Sequence, residues 1–391
     1  MESDWTPLIW LLPLAAVISW WLGRRSVKSL ETDNMRRIHP EYFKGLNYVL
    51  NEQPDKAIEV FIKMLEVDSE TVETHLALAN LFRRRGEVDR AIRIHQNLIA
   101  RPTLNREQRA LALLELGMDY MRSGLLDRAE SLFKELVETG SHVAQAFREL
   151  LEIYQQEKDW DNAIATARRL EAVSDERLTH MIAHFYCEKA EELLEKGEEA
   201  GVMENLHKAL AIDPDCARAS LVEAGTLFKG GKYRQALKAY KRIEKQDPEY
   251  LHEAIAPMLE CYRNLDGIDE YMEYLEGVVE RNGGITSMLM LVQLIAERRG
   301  EDEAIRFITS ELKKRPTVRG VDRLIEYVMT RAEGATRESL ISIKELIGKL
   351  LENRAVYKCR QCGFDAKSLH WQCPSCKNWN TVKPVHGVEG E

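Results

Sequence analysis

The chain has 391 residues, of which 45% are hydrophobic and 30% are charged, and its formal net charge at pH 7 is −9. Acidic and basic side chains are mixed along the chain, so no polyanion-binding face is predicted and a nucleic-acid-binding protein is disfavoured. The His-Glu-x-x-His, Gly-x-Ser-x-Gly and Gly-x-x-x-x-Gly-Lys motifs are also absent from the sequence. We therefore expect a protein without enzymatic activity.

The first predicted element is a membrane anchor. From Trp5 to Leu22 the chain has eighteen residues without a charged side chain, which is roughly 27 Å of helix and close to the thickness of a hydrocarbon core. Basic residues follow this run, beginning with Arg24 and Arg25, so the positive-inside rule places the amino terminus outside and the bulk of the chain in the cytoplasm. A cleaved signal peptide is the alternative, but its basic residues would precede the apolar run. We assign residues 1–23 to a transmembrane anchor and residues 24–38 to a juxtamembrane linker.

Residues 39–352 carry a repeated helical pattern. Gly45 and Ala57 are matched by Ala79 and Ala91, which follow them by 34 residues. Further positions in the same frame are Phe61, Gly117, Ala129, Phe133, Ala209, Pro214, Ile243, Pro248, Ala304 and Pro316. The pattern resembles the tetratricopeptide repeat, in which small residues let two antiparallel helices approach and proline ends the second helix. We predict an all-α superhelix of about eight or nine repeats, with a concave face that holds a peptide or a protein.

The first helix of each repeat is expected to line the concave face. In the second and third repeats, the predicted groove residues are Glu73, Leu76, Asn80, Arg83, Arg84, Leu111, Leu114, Met118 and Met121. The leucines and methionines could form an adaptable apolar groove. They could also belong to the core between repeats, which is the commoner role of such a stripe and the favoured interpretation. The unit between Glu253 and Arg281 is expected to be degenerate.

Three further residues have a spacing that could ligate a metal. His180, His184 and Cys187 fall at i, i+4 and i+7, on one face of a predicted helix. No fourth ligand is evident nearby, so ordinary packing is the favoured interpretation. Cys216 and Cys261 are interpreted as buried thiols of repeat helices.

The most specific chemical signal is a group of four cysteines near the carboxyl end. They are Cys359, Cys362, Cys373 and Cys376, and they form two Cys-x-x-Cys pairs separated by ten residues. Two such knuckles supply the four thiolates of a tetrahedral metal site. Because the segment is too short to bury a core, a metal would have to provide its folding energy. We predict a rubredoxin-like ribbon over residues 355–385 that binds one metal ion, and a tail over residues 386–391.

The chemistry of the ribbon favours zinc over iron, because no redox partner motif occurs elsewhere, although four thiolates accept either metal. Disulfides would need an oxidising compartment, and a thioredoxin-like redox pair would need a βαβ context. No coordination position is left open for catalysis, so the site is expected to be structural or a docking surface. Trp371, Trp379, Phe364 and His370 could form that docking face, or they could fill the small core of the ribbon itself.

The order of these parts resembles the lipopolysaccharide assembly protein B family of Gram-negative bacteria. The resemblance rests on the anchor ending in Gly23-Arg24-Arg25, the repeats, and the cysteine ribbon with Trp371 and Trp379 beside it. It implies a single-pass inner-membrane adaptor that promotes degradation of the lipid A deacetylase LpxC by the membrane protease FtsH, under restraint by a periplasm-facing membrane sensor. The four cysteines carry over as metal ligands. Lys377 departs from the rubredoxin pattern, which usually has glycine there.

A second interpretation uses the same parts. A membrane-anchored repeat array could gather the enzymes of lipopolysaccharide synthesis as a scaffold, with no role in proteolysis. Lipopolysaccharide itself, or the proteins that make and transport it, are further candidate partners under either interpretation. The two interpretations differ in the expected lifetime of LpxC after depletion of the chain.

Overall fold

The fold is known from a computed structural model, which describes residues 40–67, 72–352 and 354–387. The predicted anchor (1–23) and linker (24–38) lie outside the described residues. Within the described part of the chain, no helix has the length and apolar character needed to cross a membrane.

The described residues form eighteen α-helices and three short strands. The helices are α1 (Pro40–Leu50), α2 (Pro54–Val67), α3 (Val72–Arg84), α4 (Val88–Ile99), α5 (Arg106–Arg122), α6 (Leu126–Thr139), α7 (Val143–Glu157), α8 (Trp160–Val173), α9 (Thr179–Lys196), α10 (Glu199–Ile212), α11 (Ala217–Lys229), α12 (Tyr233–Gln246), α13 (Leu251–Asn264), α14 (Ile268–Arg281), α15 (Ile285–Arg299), α16 (Glu301–Lys314), α17 (Val318–Met329) and α18 (Gly334–Glu352). A 3-10 turn at Pro248–Tyr250 joins α12 to α13. Successive helices form helix–turn–helix pairs, and the chain divides within α7 into two compact units, at Ile153.

The repeat pattern has a direct physical cause in close helix packing. A Cβ atom added to Gly45 would lie 2.5 Å from the Phe61 ring, and one added to Gly117 would lie 2.5 Å from the Phe133 ring. Real Cβ atoms do not approach that closely, so the aromatic ring of the second helix requires glycine on the first. The tetratricopeptide spacing read from the sequence is therefore a packing constraint.

The pair α13–α14, which was expected to be degenerate, consists of two helices of fourteen residues each. Pro257 lies inside α13, one turn and a half from its start. At this position the proline removes one backbone hydrogen bond, to the carbonyl of Glu253, and the helix nevertheless continues to Asn264. The repeat pattern is therefore degenerate here in sequence, but the structure still forms the pair of antiparallel helices.

In the first unit, several predicted groove residues belong to the core. Leu76 and Leu114 are 8% and 1% exposed, respectively. Arg83 reaches from α3 to α5, where its Nη1 lies 2.9 Å from Asp119 Oδ1 and its Nη2 lies 2.6 Å from Glu115 Oε2. Of the others, Glu73 and Arg84 are exposed, whereas Asn80, Leu111, Met118 and Met121 are half-buried. Within the leucine and methionine stripe, Leu114 is therefore a core residue, whereas Leu111, Met118 and Met121 keep part of their surface accessible.

In the second unit, one core runs from α11 to α16 and includes the fully buried rings of Tyr250, Tyr262 and Tyr271. Leu369 and Trp371, from the carboxyl-terminal ribbon, pack against this core. The ribbon and the helices of the second unit therefore share a hydrophobic interior. This contact positions the cysteine site described next.

Candidate metal centre

The cysteines lie on a small antiparallel sheet. Its strands are β1 (Tyr357–Cys359), β2 (Asp365–Ala366) and β3 (Val382–Pro384), in the order β2-β1-β3. Tyr357 of the central strand pairs with Ala366 on one side and with Pro384 on the other. Strands of two or three residues do not form a stable sheet by themselves. The stability of the ribbon therefore depends on a bound metal and on the residues that it packs against.

Each Cys-x-x-Cys pair is closed by the same two backbone hydrogen bonds. Gly363 N–H donates to Cys359 O at 2.9 Å, and Lys377 N–H donates to Cys373 O at 2.9 Å. Cys359 N–H donates to Phe364 O, and Cys373 N–H donates to Asn378 O, at 2.8 and 2.9 Å. Gly363 and Lys377 both have a left-handed backbone, with φ of 79° and 59°. The second knuckle thus keeps the turn geometry although it lacks the expected glycine.

The two knuckles bring the four sulfurs to one point. Cys359 Sγ lies 3.7 Å from Cys376 Sγ, and Cys362 Sγ lies 3.7 Å from Cys373 Sγ. All four sulfurs lie within 4.8 Å of one another. These distances exceed a disulfide bond of about 2.05 Å and match the edge of roughly 3.8 Å expected for four thiolates around a tetrahedral zinc. The arrangement could hold one metal ion.

Burial and local hydrogen bonds shift the pKa of three of these four thiols. Burial tends to raise the pKa of Cys359, but its hydrogen bond with the Thr381 side chain and hydrogen bonds with the backbone of Cys362 and Gln361 lower it to about 6. The side chain and backbone of Asn378 lower the pKa of Cys376. Burial raises the pKa of the Cys373 thiol to about 11. Local hydrogen bonds to backbone and side chains therefore favour the thiolate at two of the four positions, as a cation site requires.

Two tryptophans attach the ribbon to the repeat helices. The ring of Trp379 stacks on His184 of α9, with centroids 5.2 Å apart, and meets Phe185 edge-on at 5.8 Å. Trp371 packs against Tyr250, with centroids 4.7 Å apart. Trp379 Nε1–H donates to Gln155 Oε1 at 2.9 Å. These two residues of the suggested docking face therefore do contact the repeats.

The other two residues of that suggested face have a different role. The Phe364 ring meets His370 edge-on at 6.4 Å, within the ribbon. Phe364 also packs against the ribbon's own core, which includes Tyr357 and Val382. Docking and internal packing were the two roles expected for these four aromatic residues, and the structure divides them between the two.

Polar contacts that the sequence did not indicate extend the docking surface. Tyr250 O–H donates to Asn380 Oδ1 at 2.7 Å and lies 3.1 Å from Val382 O. Lys383, which is 7% exposed, lies with its Nζ 2.5 Å from Asp247 Oδ2 and 4.1 Å from the centroid of the Tyr250 ring. A lysine is rarely buried unless it is paired. The pairing therefore fixes the position of β3 on the turn before α13.

Arg218 forms the centre of a second charged contact. Its guanidinium group is 2% exposed and binds Glu188 and Glu191 of α9, with Nη2 2.8 Å from an oxygen of each. The Trp371 and Trp379 rings both lie 5.8 Å from it. A desolvated arginine between carboxylates and aromatic faces gains from both. No sequence motif marks this residue, because its partners come from α9 and from the ribbon.

The two histidines of α9 have partners within the protein. His180 Nδ1 lies 2.6 Å from Asp213 Oδ2, and His184 is enclosed by the two ribbon tryptophans. Cys187 Sγ lies 3.9 Å from Cys216 Sγ, and both thiols are buried. Among the described residues, the ribbon cysteines form the one group of three or more suitable side chains. Cys261 is also a buried thiol, as expected.

Comparison with known families supports both parts of the fold. Residues 357–384 match the rubredoxin metal binding domain family. Residues 74–110, 114–176 and 193–256 match tetratricopeptide repeat families. The ribbon family match ends where β3 ends, and the repeat matches fall on described helices.

Whole-chain comparison finds relatives of the same length. The chain is 40% identical to lipopolysaccharide assembly protein B of Escherichia coli (strain K12), over 98% of this chain and 99% of that protein. It is 36% identical to the protein of that name from Haemophilus influenzae, over 98% of each chain. Among solved structures, it resembles the carboxyl-terminal part of a repeat-containing protein from Cytophaga hutchinsonii, at 15% identity, 68% and 98% coverage, and a TM-score of 0.37.

Proposed function

Because the chain belongs to the lipopolysaccharide assembly protein B family, we propose that it is an adaptor in lipopolysaccharide assembly and has no catalytic activity of its own. The observation that carries the proposal is 40% identity over 98% of this chain and 99% of its E. coli relative. The folded parts are consistent with it, because repeat arrays commonly hold proteins on a continuous surface. The candidate metal site has four cysteine side chains around one point, which leaves no obvious open position for a substrate.

The proposed mechanism is regulated proteolysis. The adaptor holds the lipid A deacetylase LpxC close to the membrane protease FtsH, and a periplasm-facing membrane sensor restrains it when lipopolysaccharide is scarce. Residues 1–23 are proposed to anchor the chain in the inner membrane, with the repeats in the cytoplasm. Confinement to the same membrane raises the effective concentration of the adaptor towards the protease. The support for this mechanism is the family resemblance and the charge-free run from Trp5 to Leu22.

The four ribbon cysteines are proposed to bind one metal ion, and zinc is favoured. A tetrahedral thiolate site with no redox partner suits a structural metal. When bound, the ion supplies folding energy to a segment with very short strands. The chain's own residues do the rest: Trp371 and Trp379 attach the ribbon to the helices, and Lys383 and Tyr250 fix its orientation.

The proposal is tested by the lifetime of LpxC in cells depleted of the chain. We expect depletion to prolong that lifetime and the full chain to restore it. The double variant Cys359→Ser with Cys362→Ser should fail to restore it, because the ribbon loses two of its ligands. Cys261→Ser is a matched control, since Cys261 is a buried thiol outside the ribbon, and it should restore degradation.

A lifetime that is unchanged on depletion would exclude the proteolytic mechanism. If the enzymes of lipopolysaccharide synthesis also ceased to purify together after depletion, the result would support a scaffold that gathers them. In that case the family assignment and the adaptor role would stand, and the link to the protease would be wrong.

A further inference from the structure

Two cysteines of the second unit lie against each other outside the metal centre. Cys187 is in the middle of α9, and Cys216 caps the amino end of α11. Their sulfur atoms are 3.9 Å apart, and the two residues are 0% and 1% exposed. They are 29 residues apart in sequence, so the packing of α9 against α11 brings the two thiols together.

This pair of thiols lacks the further ligands of a metal site. Among the described residues, a group of three or more ligand side chains around one point occurs only at the ribbon cysteines. His184, one turn before Cys187, packs its ring against Trp371 and Trp379. Two thiolates alone do not complete a tetrahedral site. The chemistry open to the pair is therefore that of a dithiol.

The two thiols differ in their surroundings, as the members of a reactive dithiol do. Cys216 stands at the amino end of α11, a helix of 13 residues, where the helix dipole favours a negative charge. Its hydrogen bond with Cys187 lowers the pKa of the Cys216 thiol, despite burial. Burial raises the pKa of the Cys187 thiol well above its usual value. Cys216 therefore has the greater thiolate character, and Cys187 stays protonated beside it.

We propose that Cys187 and Cys216 form a reversible disulfide when a small hydroperoxide oxidises them. The Cys216 thiolate attacks one oxygen of hydrogen peroxide, which gives a sulfenic acid at Cys216 and releases hydroxide. The Cys187 thiol then attacks the Cys216 sulfur, and the sulfenic hydroxyl leaves as water with the proton of that thiol. The hydroxide takes up the proton that Cys216 had released. Overall, the two thiols lose two electrons and two protons, and the peroxide is reduced to two molecules of water.

The burial of the pair decides which oxidant reaches it. Both sulfurs lie inside the protein, so local opening admits a small uncharged peroxide more readily than the much larger glutathione disulfide. The sulfurs start in contact at 3.9 Å, and bond formation brings them to about 2.05 Å. A disulfide that forms and is reduced again is of the transient, redox-sensing type found in reducing compartments.

The disulfide would join the two helices that hold the ribbon tryptophans. His184 of α9, three residues before Cys187, stacks on Trp379. Arg218 of α11, two residues after Cys216, lies 5.8 Å from the rings of both ribbon tryptophans. The covalent link closes a loop around α10 and restricts the unfolded chain. Oxidation should therefore stabilise the surface on which the ribbon docks, and reduction should reverse the effect.

The first test exposes the folded full chain in detergent to hydrogen peroxide, blocks the remaining thiols with iodoacetamide in urea, and analyses the tryptic peptides by mass spectrometry. Peptides 178–189 and 209–218 each contain one of the two cysteines. We expect them as one cross-linked species that dithiothreitol separates again. Each peptide is read separately, so oxidation of the ribbon cysteines does not interfere. Cys261, which is 0% exposed, is the internal control and should remain alkylated.

The second test separates the roles of the two thiols. In Cys187→Ser, the Cys216 thiolate should still react with peroxide, and dimedone should trap its sulfenic acid. In Cys216→Ser, Cys187 should stay unreacted, because burial keeps that thiol protonated. The oxidised wild type should also unfold at a higher temperature than the reduced wild type, whereas Cys216→Ser should show no such shift. Two thiols that only fill space do not predict these differences.

Several results would overturn the proposal. A folded chain that yields no cross-linked peptide at peroxide concentrations that oxidise the ribbon cysteines would do so. Cross-linking that occurs only after unfolding in urea, or that joins Cys187 to a ribbon cysteine, would have the same consequence. We expect glutathione disulfide at equal concentration to act more than about 10-fold more slowly than peroxide, and equal rates would contradict the assigned oxidant.

Discussion

Lys377 shows how a residue can depart from a family pattern while the backbone does not. Its φ of 59° lies in the left-handed region, which costs a residue with a Cβ roughly 1 kcal/mol more than glycine. The knuckle hydrogen bond from Lys377 N–H to Cys373 O is nevertheless formed at 2.9 Å. In the sequence this lysine stands where the rubredoxin pattern usually has glycine. The structure shows two knuckles with equivalent hydrogen bonds, so the local strain is offset by the rest of the ribbon.

The hydroxyl of Tyr250 is the clearest single atom on which ribbon docking can be tested. It donates to Asn380 Oδ1 and lies within hydrogen-bond distance of Val382 O. Tyr250→Phe keeps the ring and removes the hydroxyl together with both of these contacts, so we expect a loss of about 1–2 kcal/mol in ribbon docking. The rate at which a protease cleaves the ribbon, at several urea concentrations too low to unfold the helices, measures this loss. Tyr48→Phe, in the first unit, is the control, and equal rates for all three proteins would contradict the prediction.

Because His184 is buried, we expect the stability of the second unit to depend on pH. Burial lowers its pKa well below the usual value, and Arg218, His180 and Lys383 add to this by their positive charge. In the unfolded chain the ring titrates near pH 6.5. Below that pH the unfolded state binds a proton that the folded state does not. The free energy of unfolding is therefore highest above about pH 6.5 and decreases as the pH falls below that value.

We expect urea unfolding of the wild type to shift to lower urea between about pH 7.5 and about pH 5.5 by more than that of His184→Phe. Tryptophan fluorescence reports the transition, and carboxylates that titrate in both proteins cancel in the comparison. The difference should be on the order of 1 kcal/mol. An identical shift in the two proteins would show that His184 does not contribute.

At the scale of helices, the array is held together by a few close approaches. Gly117 lies against the Phe133 ring so tightly that a Cβ would be 2.5 Å away. Gly117→Ala should destabilise the first unit by about 1–3 kcal/mol, because the ring or the helix must move. Gly225→Ala, where a Cβ has nothing within 4 Å, should instead stabilise α11 by up to about 1 kcal/mol. Thermal unfolding followed by circular dichroism distinguishes the two. A stabilised Gly117→Ala would refute the packing argument.

These helix contacts were predictable because they are local. Gly117 and Phe133 are sixteen residues apart and recur in a fixed frame with Gly45 and Phe61, so the sequence alone indicates the fold and the approach of the two helices. The cysteine spacing likewise indicates a tetrahedral site. Docking of the ribbon was not predictable to the same degree. Asn380 is 130 residues from Tyr250, and no periodicity relates residues from two different modules.

At the scale of the whole molecule, loss of the metal should unfold the ribbon and leave the helices folded. The ribbon has strands of only two or three residues, whereas the helices have large cores. Cys359→Ser with Cys362→Ser should therefore abolish binding of about one metal ion per chain and unfold the ribbon, while helical circular dichroism changes little. Metal analysis and circular dichroism of the same samples test this. Metal-free wild-type protein with a folded ribbon would contradict it.

The attachment of the ribbon also bears on how the second unit unfolds. In an ordinary repeat array each pair touches only its neighbours, so the ends can fray independently and cooperativity falls with distance. Here Trp379 contacts Gln155 and His184, while Lys383 of the same ribbon holds Asp247. A single small module therefore couples helices from α7 to α13 that do not adjoin one another in sequence. Over that span the helices should unfold as one cooperative block as long as the ribbon itself is folded.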